Sequence, residues 1–153
     1  MVVSAADDAY SWMLLDQMRS LRAAELPDFK IGCLDLGLGD ATRETLSGLV
    51  DHIVKPGWPF KPHPVFDAQP KYLSRAVRPF LPAYFPGFDT YIWLDADCWV
   101  QNGEALKQLA YAASNLTAEQ VADKLQDALW LNVASRARAI WVLQANAKAT
   151  EAL

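Results

Sequence analysis

The placement of glycine and proline constrains this chain more than any other feature. All nine prolines fall at or before Pro86, and all seven glycines at or before Gly103, in a chain of 153 residues. These residues punctuate turns and loops. The first 103 residues therefore predict short, interrupted elements, and the tail predicts helices, almost wholly over residues 104–145. Those last 50 residues hold 14 alanines and balance five basic against five acidic side chains. The formal charge of −4 thus lies wholly in residues 1–103. The organisation expected is an α/β domain over 1–103 with a helical C-terminal extension of the same domain over 104–153.

Composition narrows the function classes. The apolar content of 52% suffices to fill a core in a chain of this length, and argues against disorder. An acidic balance offers no general attraction to phosphate backbones, so no nucleic-acid partner is expected. No apolar run approaches the ~20 residues of a membrane span. Charged Asp7-Asp8 arrive before a signal-peptide core could form, so a cytoplasmic location is expected. Cys33 and Cys98 read as two free thiols of a reducing compartment and cannot build a zinc site alone. Asn115-Leu116-Thr117 matches a glycosylation sequon, which has no use in that compartment.

Along the chain, Val2-Val3-Ser4-Ala5 reads as a buried strand. Asp7-Asp8 follow at the start of a helix, where carboxylates complement the dipole. Tyr10, Met13, Leu14, Met18 and Leu21 continue at helical spacing. Residues 29–36 predict a second strand, and Ala41 to His52 a second helix with Asp40 as its N-cap. Ile53-Val54 would be a very short third strand. Five prolines between Pro56 and Pro70 predict a long loop. Lys71 to Tyr84 reads as helix interrupted by Pro79 and Pro82. Thr90-Tyr91-Ile92-Trp93-Leu94 is apolar and β-favouring, as in a strand buried on both faces of a mainly parallel sheet. A helix from Glu104 to about Ala113 opens the tail. A capping box at Thr117-Ala118-Glu119-Gln120 and a helical face through Val121, Leu125, Ala128 and Leu129 continue it. Alternation of strands and helices indicates an α/β layer sandwich.

The segment that carries chemistry is Leu94-Asp95-Ala96-Asp97. Two carboxylates two residues apart follow a buried strand, and in extended backbone they project to one face. Ligands of open α/β sheets bind beyond the carboxyl ends of the strands. Paired carboxylates suit a hard divalent cation, Mn²⁺ or Mg²⁺, which neutralises a diphosphate. The same pair also suits two solvated turn aspartates that cap the next element.

These words resemble the GT-A-type nucleotide-sugar glycosyltransferases, especially the retaining, glycogenin-like and galactosyltransferase-like group. That group places Asp-x-Asp after an apolar strand with a second apolar stretch behind, as in Trp93-Leu94-Asp95-Ala96-Asp97 and Trp99-Val100. It places an arginine and two prolines upstream, as in Arg78-Pro79 and Pro82. It opens with a strand, acidic residues and an aromatic before a helix, as in Ala5-Ala6-Asp7-Asp8-Ala9-Tyr10 and Ser20-Leu21. The matches span residues 1–103, the N-terminal half of such a protein. The resemblance implies a three-layer α/β/α sandwich of Rossmann-like topology, a nucleotide-sugar donor and an acceptor. It implies that Asp95 and Asp97 bind the metal, with Asp95 also near the donor ribose. Asp7 and Tyr10 would hold the base, Tyr10 by stacking, and Arg78 would approach the diphosphate or the sugar. Arg75 and Lys71, one and two helical turns earlier, are further candidates. The resemblance supplies no catalytic residue for the acceptor, and residues 104–153 depart from it after the first helix. No histidine follows Asp97, where such proteins commonly take a further ligand.

Two other classes compete. A haloacid-dehalogenase-type phosphotransferase also sets Asp-x-Asp after a strand, but Cys98-Trp99 fit its continuation poorly. A non-catalytic module would use the tail for assembly, with Trp130, Trp141 and Leu143 as an exposed seam through which copies associate.

Overall fold

The computed structural model describes residues 1–67, 69–115 and 140–144. One five-stranded sheet organises them: β1 (Val2–Ala6), β2 (Ile31–Asp35), β3 (His52–Val54), β4 (Thr90–Leu94) and β5 (Ile140–Gln144), in spatial order β3-β2-β1-β4-β5. The first four are parallel, and β5 runs antiparallel along β4, from Leu94↔Ile140 to Thr90↔Gln144.

Every residue of β1 and β2 is buried, and so is β4 after Thr90. Alternation divides them between two cores. Val2, Ala6, Ile31, Cys33, Ile92 and Leu94 pack with Leu14, Met18 and Leu21 of α1 (Ser11–Ala23), Leu46 of α2 (Asp40–Ser47) and Leu106. Val3, Ala5, Leu34, Tyr91 and Trp93 pack on the opposite face with Val77, Leu81 and Phe85. Helices cover both faces, so the three-layer α/β/α sandwich expected from the sequence is present. Large buried side chains contribute about 1.5–3 kcal/mol each. A one-residue slip of β4 would exchange Ile92 and Leu94 with Tyr91 and Trp93, so the register is strongly specified.

The chain between β3 and β4, which supplies Val77, Leu81 and Phe85 to the second face, is built from short pieces, as its prolines require. They are α3 (Pro64–Asp67), α4 (Pro70–Ala76), a 3₁₀ turn over Arg78–Phe80 and α5 (Leu81–Tyr84). The expected loop over 56–70 thus contains one helical turn. The Tyr84 hydroxyl donates to the Gly57 carbonyl at 2.7 Å and ties that loop to α5.

Three expectations need correction. The second helix ends at Ser47, and His52 belongs to β3. Asp40 is the first residue of that helix, not its cap: Gly39 stands at the cap, and its N–H donates to Oδ1 of Asp8 at 2.9 Å. The tail is helical over α6 (Glu104–Asn115), but Ile140–Gln144 is a strand, so the tail is not wholly helical. Absence of glycine and proline permits a helix without requiring one, and the open edge of β4 supplies a ladder that this apolar segment joins. The expected capping box at 117–120, the helical face through Leu129 and Trp130 of the assembly seam lie outside the described residues. Trp141 and Leu143 lie in β5, paired through the backbone with β4, rather than on a helical seam.

Candidate donor and metal site

The topology fixes where a ligand would sit. After β1 the chain steps outward to β2 and β3, then returns to the other side of β1 for β4. The edge beyond the carboxyl ends of β1 and β4 is therefore the topological switch point, the usual ligand site of such sheets. Asp7 follows β1 directly, and Asp95 follows β4 directly.

Parity decides what surrounds Asp95. Tyr91 and Trp93 face the second core, so the next residue in that series, Asp95, emerges on the same side. Arg78 arrives there from the 3₁₀ turn after α4. Its Nη2 donates to Oδ1 of Asp95 at 2.6 Å, and its guanidinium lies 4.8 Å from the Trp93 ring centroid. The Trp93 indole N–H donates to the same Oδ1 at 2.8 Å. Burial pushes the Arg78 guanidinium down, Asp95 opposes that shift, and Arg75 adds to it. Arg78 thus supplies the counter-charge to one of the two carboxylates. Asp95 is half-buried, whereas Asp97 is exposed.

From the other face, α1 grips the same loop. Gln17 Nε2 donates to the Asp95 carbonyl at 2.5 Å, and the Val100 N–H donates to Ser20 Oγ at 3.0 Å. The Cys98 N–H also donates to the Asp95 carbonyl at 2.9 Å, closing a turn. Cys98 is a half-buried thiol raised by burial and by the charges of Asp97 and Asp95. Cys33 is a buried free thiol pushed up to about 12 by burial and by Asp35. Neither thiol has the lowered pKa of a nucleophile.

At the β1 end, Oδ1 of Asp7 is buried without a hydrogen-bond partner. A buried carboxylate oxygen is costly to leave unpaired, so it is a ready acceptor for an incoming N–H. Tyr10 is 56% exposed, which leaves its ring available for stacking. Asp8 holds α2 in place through Gly39. Asp35, at the end of β2, accepts from Gly37 and Leu38 N–H at 2.8 and 2.7 Å and from Arg43 Nε at 2.6 Å. Arg75 is exposed on α4, and the side chain of Lys71 lies outside the described residues.

The donor set can be tested against a divalent cation. Among the described residues no group of three His, Cys, Asp or Glu side chains forms a cage. Mg²⁺ and Mn²⁺ need none: they commonly keep waters and take one or two carboxylates plus phosphate oxygens. The Arg78 and Trp93 bonds to the Asp95 carboxylate both fall on Oδ1, and Oδ2 takes part in neither. Among the described residues the pair therefore fits a hard cation that arrives with a diphosphate better than one held by protein alone.

Sequence reasoning missed Gln17 and Trp93 as parts of this arrangement. Gln17 occupies the buried stripe of α1 beside Leu14, Met18 and Leu21, and a glutamine in such a stripe needs a polar partner. Trp93 was marked only by its place in the strand, two residues before Asp95.

No model of a known protein family matches the chain, and no curated protein does. Solved structures match. The apo structure of WbbM, a bifunctional glycosyltransferase, is similar with a TM-score of 0.51 and 18% identity, over 69% of this chain and 20% of that one. LgtC, a galactosyltransferase in complex with donor and acceptor sugar analogs, is similar with a TM-score of 0.48 and 25% identity, over 69% of this chain and 41% of that one. An active-site mutant of LgtC gives 0.48 and 26%, over 69% of this chain and 40% of that one. This chain therefore spans less than half the length of each. The likeness to WbbM shows a shared fold, in agreement with the α/β architecture that the resemblance implied.

Proposed function

We propose that this chain is the donor-binding part of a nucleotide-sugar glycosyltransferase. The observation that supports the reading is the Arg78–Asp95 pair after β4, with exposed Asp97 two residues on, beside the unpartnered Asp7 oxygen that follows the adjacent strand β1. The fold shared with a glycosyltransferase supports it.

Asp7 and Tyr10 hold the base, the carboxylate by accepting an N–H and the ring by stacking. Asp95 and Asp97 hold Mn²⁺ or Mg²⁺ with the diphosphate. That cation, when bound, stabilises the nucleoside diphosphate as a leaving group. Arg78 stands ready for the diphosphate, a better partner for a guanidinium than one carboxylate oxygen. The acceptor hydroxyl and its base have no assigned residue. Residues 1–103 carry donor binding, and β5 completes their sheet from beyond them. No helix among the described residues is long and apolar enough to cross a membrane.

Calorimetry of Mn²⁺ and nucleoside diphosphates, each alone and together, tests this reading. Mn²⁺ is expected to bind weakly alone and more tightly with the diphosphate, and the enhancement must be reciprocal. Asp97→Ala abolishes the enhancement, while Tyr10→Ala weakens the nucleotide and spares the metal. Equal diphosphate affinity with and without metal would sink the assignment. Binding without transfer to any acceptor would make the chain a nucleotide-binding module instead.

A further inference from the structure

Trp93 is 1% exposed, and its indole N–H has one acceptor, Oδ1 of Asp95 at 2.8 Å. A buried indole N–H requires such a partner. The bond joins side chains two residues apart, one locked in the second core and the other emerging at the sheet edge. Arg78 shares the same oxygen at 2.6 Å, but its charge differs in consequence. A guanidinium partly neutralises the carboxylate that a cation needs, and a diphosphate draws it away. The indole is neutral: it orients the carboxylate without cancelling its charge, and the surrounding core prevents it from following the ligand.

We infer that Trp93 is a positioning residue for the metal site. Its indole N–H holds Oδ1 of Asp95 so that Oδ2 is presented to the cation before and after Arg78 turns to the diphosphate. The inference rests on the proposed donor site and deepens it. Orienting partners of metal ligands typically change metal affinity by about 10–100-fold when removed.

The test uses the whole chain. Trp93→Phe keeps an aromatic ring in the core and removes the N–H. Titration with Mn²⁺ alone, followed by electron paramagnetic resonance, is expected to show affinity lowered about tenfold. In the parent, the Trp93 indole ¹H–¹⁵N resonance, followed with diamagnetic Mg²⁺, is expected to exchange slowly with solvent. It should shift with the same midpoint as the Asp97 amide. This second measurement needs no variant and stands if Trp93→Phe fails to fold. Unchanged Mn²⁺ affinity in a folded Trp93→Phe, or an indole resonance indifferent to Mg²⁺ while the Asp97 amide moves, overturns the positioning role alone. A parent that binds neither cation, with or without a nucleoside diphosphate, overturns the donor-site reading and this inference with it.

Discussion

Gln17 reaches across 78 residues of chain to donate its side-chain N–H to the main-chain carbonyl of Asp95 at 2.5 Å. The bond places α1 directly beneath the turn that carries both aspartates. Because Asp7 and Tyr10 lie just before that helix, one element links the carboxyl end of β1 to the turn after β4.

Gln17 is 1% exposed, and its Oε1 has no partner. Gln17→Met removes the donor and the orphaned oxygen together, so its cost in urea unfolding is expected to stay within about 1 kcal/mol. Gln17→Glu places a charge there instead and is expected to cost about 3 kcal/mol at neutral pH. Equal effects of the two changes would contradict the bond.

Asp95 and Asp97 should differ in what they do for the fold. Asp95→Ala orphans the Trp93 N–H and releases Arg78, and an unsatisfied buried donor costs about 1–3 kcal/mol. Asp97 is exposed, so Asp97→Ala should change stability by no more than about 0.5 kcal/mol. Metal-free thermal unfolding of both variants checks this, and a larger loss at Asp97 would be the contrary result.

Asp35 predicts an acid-sensitive contribution to stability. Burial pushes its carboxyl up, but Arg43 and the Leu38 and Gly37 N–H groups outweigh that and hold it below the usual carboxylate range. A depressed folded-state pKa stabilises fully above the unfolded value of about 3.9 and is lost as pH falls through the folded value. Asp35→Ala is expected to be about 2 kcal/mol less stable at pH 7. The gap from the parent should narrow below pH 4 in urea titrations run across that range. A gap independent of pH would show that the charge is not responsible.

Gly103 lies where α1 ends and α6 begins. A Cβ there would stand 2.6 Å from Leu26 Cδ2 and 2.8 Å from the Ala24 carbonyl oxygen. The leucine tip can yield, but the backbone oxygen cannot. Gly103→Ala is expected to cost about 1–3 kcal/mol, measurable as a lowered urea midpoint with unchanged slope. A variant as stable as the parent would mean that α6 shifts freely.

Much of this was legible in the sequence because it depends on local pattern. Ile31, Cys33, Ile92 and Leu94 are buried as their strands predicted, and Asp95 stands at the carboxyl edge of the sheet. What escaped depends on partners distant in sequence. Ile140–Gln144 is a strand because β4 offers an edge, and nothing within an alanine-rich tail announces that edge. Asp40 loses the cap position because Asp8, from beyond β1, already holds the Gly39 N–H. Gln17 and Trp93 were visible as a polar residue in a buried stripe and an indole two places before a carboxylate. Their meeting at Asp95 required the third dimension.

The antiparallel pairing of β5 with β4 has a consequence for solubility. With β5 in place, the aspartate-bearing strand is interior to the sheet and its backbone groups face partners on both sides. A chain cut at residue 115 would turn β4 into a margin of five mostly apolar residues with open N–H and C=O groups. Such a margin recruits strands from other molecules. The shortened protein should therefore self-associate through the very strand that presents its aspartates, and β5 acts as its built-in guard against that fate.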